Sequence, residues 1–151
     1  MKLVVGCDHA GFEAKTAVFD VLESIACEYE DVGVFSEEKN DLYPKIAREA
    51  CLKILNNKVE LGILICGSGT GMAIAANRFE RIRAVLCYDT YSAQMARLDN
   101  NCNVLCLRAR EFDHSKYYEI IKTFIETEFS EEIRHKKRVE LLDGLVEYED
   151  L

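Results

Sequence analysis

Three glycines, Gly67, Gly69 and Gly71, alternate with the hydroxyl residues Ser68 and Thr70 directly after an apolar run that ends at Cys66. Where a strand turns into a helix, such a stretch lets several backbone N–H groups converge on one anion, because glycine tolerates the tight turn and leaves the amides uncovered. The same amides and the helix start favour a thiolate at Cys66, suited to act as a nucleophile or a base; the competing reading is a cysteine buried in the core. Asp8 and His9 follow another apolar run and supply one acceptor and one donor whose charge switches near neutral pH. Asp8 equally fits an N-cap for a helix beginning near Gly11. Arg134 and Arg138, one helical turn apart, share a helix face in an arrangement suited to phosphate, and Arg110 follows a strand end. A dinucleotide fingerprint requires Gly-x-Gly-x-x-Gly and an acid about twenty residues later. The third glycine is wrongly spaced here, but Asp89 stands near the required distance and keeps a nucleotide-binding reading open.

Positioning these groups falls to five apolar runs that read as buried parallel strands: Leu3–Cys7, a weaker Glu28–Val32, Leu61–Cys66, Ala84–Tyr88 and Asn103–Leu107. Helical spacing of apolar residues covers Phe12–Ser24, Pro44–Leu55, Met72–Phe79, Tyr91–Leu98 and His114–Phe129, with a further helix expected at the C-terminal end. The alternation predicts an α/β fold: a doubly wound, five-stranded parallel sheet with helices on both faces, a Rossmann-like three-layer sandwich. Ligands of such sheets bind at the carboxyl ends of the strands, which singles out residues 7–11 and 66–71. The longest irregular connection runs from Gly33 to Leu42, and the only proline, Pro44, suits the first turn of a helix.

A chain of 151 residues fits a single domain, 1–151, able to bury roughly 70% of the surface its unfolded form exposes. With 49% hydrophobic and 30% charged residues the balance is globular, and a net charge of −8 makes nucleic acid a poor partner while still allowing a local basic pocket. The acidity gathers from Glu140 to Asp150, just after the basic run 134–138, which also reads as a solvated helix start. Seven cysteines without a Cys-x-x-Cys pair predict reduced, buried thiols in a cytoplasmic protein and no metal site. The first residues lack a signal-peptide layout, and no apolar stretch reaches the ~20 residues of a membrane-spanning helix, so no membrane association is expected.

Several longer motifs stand in one order: Gly-Cys-Asp-His-Ala-Gly-Phe (6–12), Tyr-Pro (43–44), Gly-Ile-Leu-Ile-Cys-Gly-Ser-Gly-Thr-Gly (62–71), Ile-Ala-Ala-Asn-Arg (74–78), Ile-Arg-Ala (82–84), Asn100, Asn-Val-Leu (103–105) and Arg-His-Lys-Lys-Arg-Val (134–139). On these motifs nearly the whole chain resembles the type B ribose-5-phosphate isomerases, in the superfamily that includes the galactose-6-phosphate isomerase subunits. The resemblance implies a cofactor-free aldose–ketose isomerase that opens a furanose ring and works through a cis-enediolate, with ribose 5-phosphate and ribulose 5-phosphate as the expected pair. It makes Cys66 the base. Members lacking this cysteine use a glutamate in the following helix, and Met72–Ala76 contains none. By the same resemblance Ser68 and the amides from Gly67 to Gly71 hold the enediolate oxygen, and Asp8, Tyr43 and Asn100 contact sugar hydroxyls. Phosphate falls to His9, Arg110, Arg134 and Arg138, the last two reaching into a neighbouring subunit's site within a homodimer or homotetramer.

One departure bears on the substrate. The family's Arg-x-His-Asn, whose histidine is thought to protonate the ring oxygen, reads Arg97-Leu98-Asp99-Asn100, and Leu42 precedes Tyr43 where an aspartate is common. Asp99 is then a carboxylic acid with a raised pKa, or another group opens the ring, or the substrate is another sugar phosphate such as a hexose 6-phosphate. A non-catalytic module binding a sugar phosphate or nucleotide is the alternative of a different class. An inactive partner subunit is a third, disfavoured because Cys66 and the glycine loop are both retained.

Overall fold

The computed structural model describes residues 1–36 and 42–144. Its strands are β1 (Lys2–Cys7), β2 (Glu28–Asp31), β3 (Leu61–Cys66), β4 (Ala84–Leu86) and β5 (Val104–Arg108), all parallel, in the order β2-β1-β3-β5-β4. The three central strands are almost wholly buried, as their continuous apolar runs require. The polar Glu-Tyr-Glu-Asp of β2 is tolerated because β2 is an edge strand and only partly covered.

The helices are α1 (Phe12–Ser24), α2 (Tyr43–Leu55), α3 (Thr70–Ala76), α4 (Thr90–Asn100), α5 (Tyr117–Glu126) and α6 (Ile133–Asp143). Val18 and Leu22 of α1, Ala93 of α4 and Phe124 of α5 pack on one face of the sheet against Leu3, Ile63 and Leu105. Ile46 and Ala50 of α2 and Met72 of α3 pack on the other against Val4, Leu64 and Cys106. Right-handed crossovers account for this division. The steps β1→β2 and β4→β5 run one way along the sheet and place α1 and α4 on one face; β2→β3 and β3→β4 run the opposite way and place α2 and α3 on the other.

The expected layered sheet is present, with shifts at element ends that have local causes. β4 stops at Leu86 rather than Tyr88 because Asp89 already caps α4, its carboxylate accepting from the Ser92 amide at 2.7 Å. α3 begins at Thr70, two residues earlier than its apolar spacing suggested, and ends at Ala76 rather than Phe79. Beyond it the Asn77 side chain exchanges two hydrogen bonds with the Ala84 backbone, both 2.8 Å, and ties the end of α3 to the start of β4. The segment expected as one helix over 114–129 divides into a short 3-10 turn, His114–Lys116, and α5, with Thr127 already extended. Of the irregular connection 33–42, residues 37–41 lie outside the described residues, as does the acidic stretch beyond Gly144. Among the described residues no helix is long and apolar enough to cross a membrane.

Candidate active site

The chain leaves β1 toward one face of the sheet and β3 toward the other, so their carboxyl ends part and open a crevice between neighbouring strands. A cleft of about 340 Å³ occupies that position, lined by Asp8, His9 and Ala10 from beyond β1, by Cys66, Gly67, Ser68, Thr70 and Gly71 from β3 and its loop, and by Tyr43 and Arg110. The two loops singled out by the strand-end rule therefore meet.

Asp8 is buried and caps the turn His9–Gly11, Oδ1 accepting from the amides of Ala10 (3.0 Å) and Gly11 (3.1 Å). Its own amide donates to Ile65 O at 3.2 Å, pinning the β1 loop to β3. Both readings of Asp8 thus hold in geometry: it is a cap, and it lines the cleft. Among the described residues no donor engages its second oxygen, Oδ2. His9 is exposed beside it.

The β3 loop is shaped by Gly69, the N-cap of α3, in the left-handed conformation at φ 79°. A Cβ there would stand 2.4 Å from Leu86 Cδ1 and 3.1 Å from Leu107 O, so only glycine fits both the angle and the space. Ser68 and Thr70 hydroxyls lie 2.6 Å apart, and the Thr70 amide donates to Ser68 Oγ at 3.3 Å. Among the described residues no acceptor takes the amides of Gly67, Ser68 or Gly69. Two side chains close on the loop from outside. Arg110 lies over Gly67, its Nε 3.3 Å from where a Cβ would stand, while its backbone amide donates to Gly67 O at 3.0 Å. The Tyr43 ring, carried by the first residue of α2, approaches Gly71 in the same way at 3.0 Å.

All seven cysteines are free thiols, and Cys66 is the only one that lines the cleft among the described residues. Elsewhere burial pushes the thiols up: Cys7, Cys87 and Cys102 to about 11, Cys51 to about 12, and Cys106 well above its ordinary value. Those groups are core, held protonated at neutral pH.

The remaining expected site residues lie elsewhere. Asn100 lines a groove of about 800 Å³ that runs from the end of α3 along α4 to the end of α6, with Arg83 and Asp143. Arg134 and Arg138 are exposed on α6, Arg134 Nε bonded to Glu132 at 2.8 Å. Asp99 does not pair with Arg97. That guanidinium instead serves the carbonyls of Thr127 (3.2 Å) and Cys102 (2.6 Å), because Asp99 projects from the last turn of α4 toward His135, Oδ1 3.7 Å from Nδ1. Asp89, the acid a nucleotide site would need, is committed to capping α4; the hydrogen bond from the Ser92 amide holds its carboxyl below the usual range.

Lys15 was missed by the sequence reading. Its ammonium is buried, donating to Asp31 Oδ2 at 2.7 Å and Val34 O at 2.8 Å, with the rings of Phe12, Phe19 and Phe35 at 5.2–5.6 Å. It ties α1 to the segment leaving β2. The signal was available: positions 15, 18 and 22 form one apolar stripe, so a lysine at 15 is a buried charge in need of a partner.

Comparison with known proteins gives one consistent result. The ribose/galactose isomerase family profile matches residues 3–142. The chain is 38% identical over 145 residues to ribose-5-P isomerase B of Listeria innocua, covering 96% of this chain and 97% of that one. It is 36% identical over 129 residues to a D-erythrulose-4-phosphate isomerase of Pectobacterium atrosepticum, covering 85% of each. The crystal structure of a ribose 5-phosphate isomerase from Thermotoga maritima superposes with a TM-score of 0.90 at 40% identity, over 95% of this chain and 97% of that one. With the profile spanning nearly every residue and the fold shared over 95% of the chain, this chain belongs to the ribose/galactose isomerase family and is a sugar-phosphate isomerase of the aldose–ketose type.

Proposed function

We propose that the chain, as one isomerase domain, interconverts ribose 5-phosphate and ribulose 5-phosphate with Cys66 as the base. The observation that carries this is the placement of Cys66, the one cleft-lining thiol among the described residues, beside three uncovered amides in a cleft that His9 and Arg110 also line. In its thiolate form Cys66 takes the proton from C2 of the open-chain aldose, and the C2–H electrons form the C1–C2 double bond as the carbonyl oxygen becomes anionic. The loop amides and Ser68 stabilise that oxygen, the electrostatic role of aimed dipoles. The thiol returns the proton to C1, a proton passes from O2 to O1, and the ketose is formed. Asp8 Oδ2 and Tyr43 orient the sugar hydroxyls, and His9 and Arg110 take the phosphate.

Asn100, Arg134 and Arg138 do not line the cleft of their own chain. They fit a composite site in which a second copy contributes them, and the exposed apolar side chains Ile133 and Leu141 on the helix of the two arginines suit a face covered by that copy. A homodimer is the smallest assembly that completes the site.

A second reading is favoured by Asp99. With a carboxylate turned to His135 where the family places its ring-opening histidine, a substrate that never closes a ring becomes attractive. A tetrose 4-phosphate is one, because its O4 carries the phosphate and no other hydroxyl can form a five-membered ring; the Pectobacterium relative is named for such a compound. Purified protein assayed on ribose 5-phosphate, allose 6-phosphate and erythrose 4-phosphate, with C2 proton exchange followed in deuterated water, separates the readings. Higher kcat/KM on ribose 5-phosphate supports the first, higher kcat/KM on the tetrose supports the second, and binding without exchange on any of them excludes both.

A further inference from the structure

The attachment of α6 is polar. Ile133, Leu141 and Leu142 on this helix are exposed, and its only fully buried residue is His135. A surface helix ordinarily docks through an apolar stripe facing the core, and α6 presents none to its own chain. Near its first turn His135 Nδ1 lies 2.7 Å from Ser130 Oγ, and Asp99 Oδ1 stands 3.7 Å from the same nitrogen. Ser130 is fastened in turn to the last turn of α4, its amide donating to Leu98 O at 3.0 Å. At the far end Asp143 accepts two hydrogen bonds from Arg83, at 2.7 and 2.9 Å. Arg134 and Arg138 flank the His135 attachment on the same helix, so any tilt there displaces both.

We propose that Asp99 and His135 form a clip between α4 and α6 that sets the position of Arg134 and Arg138, which makes Asp99 a positioning residue for phosphate rather than the ring-opening acid. This rests on the reading above that the two arginines hold phosphate. Asp99 is partly exposed while the His135 ring is almost fully buried, and the carboxylate stands 3.7 Å from Nδ1 of that ring on the neighbouring helix. A general acid has to keep a proton and aim it at the ring oxygen; a positioning carboxylate needs only to stay beside His135.

The clip is tested with Asp99→Ala, a change at a partly exposed helical position that a helix tolerates, alongside Arg138→Ala, the Arg134→Ala/Arg138→Ala variant and the triple variant that adds Asp99→Ala to it. For each, KM and kcat are measured on ribose 5-phosphate and on erythrose 4-phosphate, and inorganic phosphate is titrated as a competitive inhibitor and by calorimetry. The expected result for Asp99→Ala is a roughly two- to fivefold rise in KM and in the phosphate dissociation constant, equal for cyclic and open-chain substrates, with kcat unchanged. In the Arg134→Ala/Arg138→Ala background the same substitution should add little, since both residues it positions are gone. Asp99→Glu should restore most of the affinity. A loss of kcat confined to ribose 5-phosphate, with phosphate affinity intact, overturns the proposal in favour of an acid at Asp99. An Asp99→Ala effect that persists undiminished with both arginines removed overturns it as well. If Arg138→Ala itself leaves calorimetric phosphate binding unchanged, the phosphate role of α6 is wrong and the clip falls with it, while the isomerase assignment is judged separately by turnover.

Discussion

The cleft and the α6 face are built on opposite principles. Apart from Tyr43 at the start of α2, the groups that line the cleft hang on a strand end or on the first turn after one, and backbone fixes the loops that carry them: the Asp8 amide on Ile65 and the Arg110 amide on Gly67 O. The α6 face is held by side-chain contacts, Asp99 of α4 with His135 and Arg83, just before β4, with Asp143. Backbone placement suits groups that must hold a reacting atom to a fraction of an ångström, and side-chain clips suit groups that grip a charged end through long arginines. The cleft is lined from within one chain, and Asn100, Arg134 and Arg138 do not line it.

The largest effect expected from this contrast is at Cys66. Cys66→Ala should lower kcat by at least about 10²–10⁴-fold while leaving KM nearly unchanged, because a lost proton-transfer group removes the chemical step and little of the phosphate grip. Exchange of the C2 proton with deuterated water is the measurement, and exchange at the parent rate in the variant places the base elsewhere.

Next is Arg138→Ala, which should raise KM by roughly 10–100-fold, the worth of one or two charge-assisted hydrogen bonds, with a smaller change in kcat. The division between regions sharpens into a complementation test. Arg138→Ala and Cys66→Ala subunits, each nearly inactive at low substrate, should regain activity when exchanged into mixed dimers, since one site then holds both intact residues. No recovery after demonstrated subunit exchange would make Arg138 a residue of its own chain's site.

The two regions should also respond differently to alkali. In the core, burial raises Cys7, Cys87 and Cys102 to about 11 and Cys51 to about 12, whereas the far end of α6 is held by the Arg83 guanidinium, which stays charged. A thiol whose folded pKa exceeds its unfolded value keeps more protons in the folded state. Its contribution is therefore full below about pH 9 and is lost as pH rises toward 11, at about 1.4 kcal/mol per pH unit for each thiol at most. Thermal unfolding followed between pH 8 and 11 should show this decline, and Cys51→Val should flatten it. A melting temperature independent of pH over that range would mean that the core thiols are not held as described.

The smallest effect belongs to the far end of α6. Asp143→Asn weakens the contact with Arg83, whose partner is about a third exposed, and should raise KM by only about two- to threefold with kcat unchanged. A larger change than that of Arg138→Ala would reverse the order and make the groove beside Asn100, rather than the arginines, the main contribution of this face.

How much of this was legible in the chain follows from what each signal encodes. The alternation of apolar runs with helical spacing determined the parallel sheet, and the strand-end rule located both loops of the cleft, because these follow from periodicity and crossover handedness. Gly-Ser-Gly-Thr-Gly after Cys66 announced the anion loop for a local reason, since positive φ and uncovered amides are properties of a few adjacent residues. Asp8 as a cap and Pro44 in the first turn of α2 were readable for the same reason. The order β2-β1-β3-β5-β4 was not readable, because it depends on which strands pair at long range. Nor was the pairing of Lys15 with Asp31, although the apolar stripe marked the lysine. The separation of the arginines from the cleft was expected only through the family resemblance, and the turn of Asp99 toward His135 was decided only in three dimensions. The last turn of α4 and the first turn of α6 are more than thirty residues apart in the chain, and no local propensity sets the angle at which two helices meet through a few polar side chains.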